Sequence, residues 1–318
     1  MSAGVSARQP IELIADAGPE AGWGHVSRSS GLAAALASRR VPIRRRGFGI
    51  EEPIERDGMK WVPLGADALA SVPDGATVWL DTYRLPLVEV EALAARARLC
   101  VMYDGVAGPP RNAELVVSVG AAPRKTDDRR WLSGPAYACL RQSFWGAAER
   151  ELSETVRSIL ITTGAEGRLA AELAAAIREA TAVERVTLVR GPLDTAGTET
   201  EEVDVLAAPD SLFDPLSQAD LAVTAGGQTM LEAASLGTPC IALASSDDQR
   251  GQINLLAKEG AVLPVDPPSA DVVRRLVSEL VADSQRRQTM SRASQRTVDG
   301  LGALRVASAM EVIAKTPA

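Results

Sequence analysis

Ile11-Glu12-Leu13-Ile14-Ala15-Asp16, followed by Gly22-Trp23-Gly24-His25-Val26-Ser27-Arg28, is the stretch from which the fold can be read. A short apolar run ends in a Gly/Pro-rich turn, and the residues from Val26 to Ser38 are Ala/Leu-rich with few breakers, which favours helix. That is a strand–loop–helix opening. Further strands are expected at Pro42–Arg46, Thr77–Asp81, Leu99–Tyr103 and Leu115–Val119, with a helix over Pro86–Arg98 whose proline sits near the first turn. Short apolar strands alternating with helices predict a parallel α/β sheet.

After a polar stretch around Trp145–Thr155 the pattern restarts. Strands are expected at Ser158–Thr163, Arg185–Arg190, Val203–Ala208, Asp220–Thr224 and Pro239–Ala244. Helices are expected over Arg168–Ala180, Asp214–Gln218, Thr229–Leu236 and Gln249–Glu259, and in two or three pieces from Ser269 onward. Two α/β series imply two Rossmann-like domains, residues 1–145 and 146–318, and the last helix could pack back on the first domain. A length of 318 residues suits this division, since it exceeds one ordinary core. The loosest segment is Gly191–Glu202, where a mobile loop is expected.

Hydrophobic residues make up 46% and charged residues 24%, as in a globular chain. A formal net charge of −7 argues against general affinity for nucleic acid. No run approaches the roughly 18 apolar residues of a membrane span, and the first ten residues do not read as a signal peptide. Cys100, Cys139 and Cys240 are scattered in apolar runs and read as reduced core thiols. Together these features predict a soluble, cytoplasmic protein without membrane insertion.

His25 is the sole histidine, the one side chain whose ordinary pKa, roughly 6.5, suits proton transfer near neutrality. A structural cap is the competing reading. The second place of interest is Asp220-Leu-Ala-Val-Thr-Ala-Gly-Gly-Gln-Thr-Met-Leu-Glu232, a strand running through Gly226-Gly227 into a helix, a turn suited to cradling phosphate. Thr229-x-x-Glu232 also matches a capping box, and spacing favours that reading of Glu232 over a ribose contact. Asp16, Asp81 and Asp104 each end an expected strand, and only Asp81 has a matching neighbour, Tyr83. Arg44-Arg45-Arg46 reads as a solvated strand end, and the mixed-sign run Arg124–Arg130 as an exposed loop. Asp247 and Asp248 are adjacent and diverge, and with no third ligand they make no metal site.

The ensemble resembles the nucleotide-sugar enzymes of the GT-B superfamily, in particular the UDP-sugar hydrolase of pseudaminic acid biosynthesis and its spore-coat polysaccharide relatives. Ala15–Gly18 with Gly24–Arg28, Leu80–Tyr83, Leu132–Arg141 and Asp220–Glu232 carry the likeness, followed by Leu236–Pro239 and Asp247–Gln249. The resemblance implies a GT-B-like fold in which two parallel-sheet domains face a central cleft. It further implies that His25 activates an attacking water, with Tyr83 lining the same cleft. Gly24, Gly226, Gly227, Gln228 and Thr229 would hold the diphosphate and Glu232 the ribose. Asp16, Arg28, Asp81, Asp248 and Gln249 would face the sugar.

The partner is then a nucleoside diphosphate sugar, expected to be UDP-linked, and neither cofactor nor metal is required. Hydrolysis is the first reading. An inverting glycosyltransferase and a non-catalytic sugar-nucleotide binder are the alternatives. The chain departs from the hydrolase pattern at Ser29-Ser30, Thr163-Gly164, Gln228 and Asp247-Asp248. At Asp248 a carboxylate replaces an asparagine and cannot donate a hydrogen bond when ionised.

Overall fold

The computed structural model describes residues 9–18, 21–65, 69–103, 110–120, 130–164, 167–191 and 203–316. Asp104, the run 121–129 and most of the segment 191–202 lie outside the described residues. The first half builds an eight-stranded sheet from β1 (Ile11–Asp16), β2 (Ile43–Phe48), β3 (Ile54–Arg56), β4 (Met59–Pro63), β5 (Thr77–Asp81), β6 (Arg98–Met102), β7 (Leu115–Ser118) and β8 (Trp131–Ser133). Its order is β3-β4-β2-β1-β5-β6-β7-β8, parallel except for the β3–β4 hairpin. Helices α1 (Gly24–Ser38) and α2 (Leu87–Ala94) cross between strands. The expected helix to Arg98 stops at Ala94, because Arg98 already pairs with Thr77 in the sheet.

Strand β1 is buried at every position, as a central strand covered on both faces must be. Glu12, mid-strand and 1% exposed, survives there because Arg44 reaches it at 3.1 Å and Arg46 at 3.3 Å. The arginine run is therefore not merely solvated: alternate side chains on β2 share one face and converge on Glu12.

The second half builds a six-stranded, wholly parallel sheet from β9 (Ser158–Thr162), β10 (Arg185–Arg190), β11 (Asp204–Ala207), β12 (Leu221–Ala225), β13 (Cys240–Leu243) and β14 (Val262–Val265). Its order is β11-β10-β9-β12-β13-β14. Helices α3 (Gly167–Ala180), α4 (Phe213–Gln218), α5 (Gln228–Ser235) and α6 (Asp247–Lys258) intervene, and α7 (Ala270–Ala282), α8 (Ser284–Thr297) and α9 (Gly302–Lys315) close the chain. Each sheet carries an apolar cluster on either face.

Helix α9 returns to the first sheet, where Ala303, Val306, Ala307 and Met310 are buried in the same cluster as Leu32 and Leu36 of α1. The segment 138–141 passes between these two helices so closely that a Cβ at Gly31 would overlap the Leu140 carbonyl, and one at Gly302 the Ala138 carbonyl. Glycine is needed at both places, and the segment is thereby held rigidly. All three cysteines are free and buried. Among the described residues no helix is long and apolar enough to cross a membrane.

Candidate functional site

In open α/β sheets ligands settle outside the strand carboxyl ends, at the point where the strand order reverses. In the first sheet that point lies between β1 and β5, which end at Asp16 and Asp81. In the second it lies between β9 and β12, which end at Thr162 and Ala225. Helix α1 begins at the first switch point and α5 just after β12, and the first-turn N–H groups of each helix have no intrahelical acceptor.

His25 is the second residue of α1. Its Nδ1 lies 2.7 Å from Asp81 Oδ1 at the end of β5. Arg28, one turn along, donates from Nε to Asp81 Oδ2 and from Nη2 to Oδ1, both at 2.6 Å. Ser29 adds a longer contact to Oδ2 at 3.4 Å and accepts from Trp79 Nε1 at 3.0 Å. Burial alone would raise the Asp81 pKa, but the Arg28 and His25 charges and hydrogen bonds hold this carboxyl well below the usual carboxylate range. Arg28 Nη2 also lies 3.0 Å from Nδ1, but the shorter contact is to Asp81, and an ionised Asp81 only accepts, which assigns the hydrogen to Nδ1 and leaves Nε2 as the acceptor of the ring. That is the tautomer a general base requires.

Asp81 is 1% exposed and Arg28 pairs with it, so the structure brings both together against the imidazole. Asp16 is also turned inward. Fully buried, it accepts from Thr82 Oγ1 at 2.6 Å and from the Tyr83 backbone N–H at 2.7 Å, and so pins the turn after β5. The pinned turn sets Tyr83 edge-on against His25, with ring centroids 4.6 Å apart and an interplanar angle of 88°. Tyr83 is 53% exposed and His25 5%, so the phenol covers the imidazole.

Beside this dyad, between the two sheets, lies a cavity of about 270 Å³. One wall is the turn before α1 and its start (Gly22, Gly24, Ser27), and another is the start of α5 (Gln228, Thr229). The ends of β9 and β10 and the loop after β11 close it from the second sheet. Glu232 lines it, 1% exposed, with Oε1 accepting from Arg141 Nε at 3.1 Å and lying 3.0 Å from Arg141 Nη2. Arg141 also donates from Nη1 to Asp57 Oδ1 and to the Asp210 carbonyl, both at 3.1 Å. Burial would lower the Arg141 pKa, but Glu232 and Asp57 raise it further. Burial raises that of Glu232, with Arg141 opposing.

The capping-box expectation is overturned. Helix α5 starts at Gln228 with Gly227 as its cap, so Thr229 stands inside the first turn and Glu232 turns to Arg141 instead. Gly226 is a packing glycine: its N–H is taken by the Leu243 carbonyl at 2.9 Å and Gln249 Oε1 at 3.1 Å, and a Cβ would overlap Ile253. Gln249 thus latches the β12–α5 turn, also accepting from Ser245 N at 3.3 Å, and does not reach the cavity wall. Asp248 stays half-buried in the first turn of α6, also outside that wall. The Gln228 side chain donates to the Cys139 carbonyl at 3.0 Å, tying α5 to the 138–141 segment.

Three site residues escaped the reading of the sequence: Arg56, Asp57 and the role of Arg141. The signal for the first two was the Asp57-Gly58 pair between two short apolar-alternating runs, a hairpin turn in which both residues have positive φ, 53° and 68°.

A scan of known protein families finds none that matches. The spore coat polysaccharide biosynthesis protein SpsG of Bacillus subtilis (strain 168) is 27% identical over 100 residues, 30% of this chain and 29% of that protein. The aligned part therefore spans under a third of that relative. The likeness to solved structures is end to end. Spinosyn rhamnosyltransferase SpnG, complexed with thymidine diphosphate, aligns over 96% of this chain and 100% of its own, with a TM-score of 0.63 and 15% identity. The fold is GT-B. The Streptomyces sp. SF2575 glycosyltransferase SsfS6, also complexed with thymidine diphosphate, aligns over 96% and 99%, with a TM-score of 0.59 and 14% identity. In the GT-B frame the cavity described above is the cleft between the two sheets; its wall takes in Gly24 and Val26, on either side of His25, but not His25, Asp81 or Tyr83 themselves.

Proposed function

We propose that this chain is a glycosyltransferase that moves a sugar from a pyrimidine nucleoside diphosphate to an acceptor hydroxyl. The carrying observation is the imidazole fixed by Asp81 beside a cleft into which two helix N-termini open from opposite sheets. In this reading the acceptor oxygen attacks the anomeric carbon and His25 Nε2 takes its proton. The bond from that carbon to the diphosphate breaks, and the diphosphate leaves with the electron pair. Helix N-terminal N–H groups stabilise the developing charge without reorganisation. Attack opposite the leaving group inverts the anomeric configuration. SpnG and SsfS6 carry thymidine diphosphate, and both are transferases by description, which favours transfer over hydrolysis for this chain. Glu232 is the ribose acceptor in this scheme and Thr229 a diphosphate contact.

Hydrolysis is the second reading, and one observation favours it: an imidazole 5% exposed beneath Tyr83 admits water more readily than a bulky alcohol. The two are separated by assaying UDP and dTDP release from a panel of sugar nucleotides, with and without alcohols. Release that requires an alcohol and ceases in His25→Ala supports transfer, and release in buffer alone supports hydrolysis. Nucleotide binding without turnover would sink both and leave a binding protein.

A further inference from the structure

We propose that Arg56 is the cationic contact for the leaving diphosphate, supplied from the first domain across the cleft from α5. The inference rests on the sugar-nucleotide reading of the same cleft. The β3–β4 hairpin turns at Asp57-Gly58 and lays its last β3 residue against the cavity wall. Two interactions hold it there. Asp57 is tied to Arg141 at 3.1 Å, and the Arg56 guanidinium lies over the Trp23 indole, its carbon 4.2 Å from the ring centroid. Trp23 is the residue that precedes α1, so Arg56 sits beside the N-terminus of that helix.

The wall holds three arginines, Arg56, Arg141 and Arg190, and Arg56 is the one stacked on the indole that precedes α1. Arg141 is neutralised by Glu232 and Asp57, and Arg28, behind His25, by Asp81. Arg56 pairs with no carboxylate among the described residues, its partner being the indole face. A guanidinium stacked on an aromatic ring keeps its N–H donors free along its edge, in a fork that matches phosphate oxygens. The wall's carboxylates are Asp57 and Glu232, both paired with Arg141, and Asp210, which is exposed and whose carbonyl accepts from Arg141.

Helix α5 contributes dipole and N–H groups but no formal charge, since Gln228 and Thr229 are neutral. A departing diphosphate gains negative charge as the bond breaks, so a full positive charge opposite α5 stabilises the transition state more than the bound substrate. The electron pair stays on the diphosphate oxygen, and no proton need be supplied to it.

The test is calorimetric titration of UDP and dTDP into the full chain and its Arg56→Gln, Arg56→Lys and Arg45→Gln variants, over a range of KCl. Arg45 removes the same charge outside the cleft, where it donates to the Lys60 carbonyl. Loss of a charge-assisted contact of this kind lowers affinity about 10- to 100-fold. Arg56→Gln is expected to show that loss together with a shallower salt dependence, Arg56→Lys to recover part of it, and Arg45→Gln to match wild type. Circular dichroism melting temperatures unchanged in Arg56→Gln would show that the loss is local. Wild-type affinity in Arg56→Gln, or an equal loss in Arg45→Gln, overturns the assignment. A wild-type chain that binds neither nucleotide instead overturns the sugar-nucleotide reading itself.

Discussion

Replacing Arg141 with glutamine removes the only cation paired with Glu232 among the described residues and leaves that carboxylate, 1% exposed, without its partner. Four contacts go at once: two nitrogens at 3.1 and 3.0 Å from Glu232, and one donating at 3.1 Å to both Asp57 and Asp210. Breaking a buried pair by removing one member costs roughly 3–5 kcal/mol. In a unit of 150–250 residues that lowers the melting temperature by about 10 °C.

The cost depends on pH, with a defined sign. Burial already holds Glu232 above the ordinary glutamate value, with Arg141 opposing, so removing Arg141 raises it further. Between the unfolded value, near 4.3, and the folded one, the folded state holds a proton that the unfolded state has lost, and stability falls as pH rises. The deficit of Arg141→Gln relative to wild type should therefore be small near pH 5, grow towards pH 8 and level off once Glu232 is ionised in the folded protein. The double variant Arg141→Gln/Glu232→Gln should recover most of it at pH 8. Thermal unfolding followed by far-ultraviolet circular dichroism across this range is the assay. A deficit that does not vary with pH, or a double variant that is the sum of the singles, would refute the reasoning.

Asp81→Asn should leave UDP or dTDP affinity within about twofold but lower turnover by about 10²–10⁴-fold, the range general-base loss gives, measured as kcat against Kd. Gly31→Ala forces a methyl group onto the Leu140 carbonyl and should destabilise by about 1–3 kcal/mol in urea titrations. Gln249→Ala removes the side chain that ties the Gly226 and Ser245 N–H groups together and should weaken nucleotide binding by loosening the β12–α5 turn, although it stands outside the cavity wall. A titration with unchanged affinity would return Gln249 to a purely structural role. Burial pushes the thiols of Cys139 and Cys240 up to about 12 and that of Cys100 higher still, so a thiol reagent at pH 8 should label none of the three until denaturant is added.

The strands and helices with strong local periodicity were legible because burial on both faces of a parallel sheet demands unbroken apolar runs, as in β1, β9 and β12. The β3–β4 hairpin was not, because its strands are only three and five residues long and alternate charged with apolar positions, and only the Asp57-Gly58 turn marks it. Helix α2 ended early for a non-local reason: Arg98 to Met102 are claimed by the sheet between β5 and β7.

The same division runs through the site. His25 could be singled out from the chain alone, since a lone imidazole at a glycine-rich strand–helix junction has few competitors for proton transfer. The roles of its neighbours could not be separated that way. Asp16 and Asp81 both end apolar strands, and only the strand order shows one carboxylate pinning the Tyr83 turn and the other aligning the imidazole. Glu232 carried a capping pattern in a local window, but its partner is 91 residues earlier in the chain. Local propensity and periodicity determine elements, because they act between residues a turn or a pleat apart. Which charged groups meet depends on how the two sheets and the 138–141 segment close on one another, and only the tertiary structure decides that.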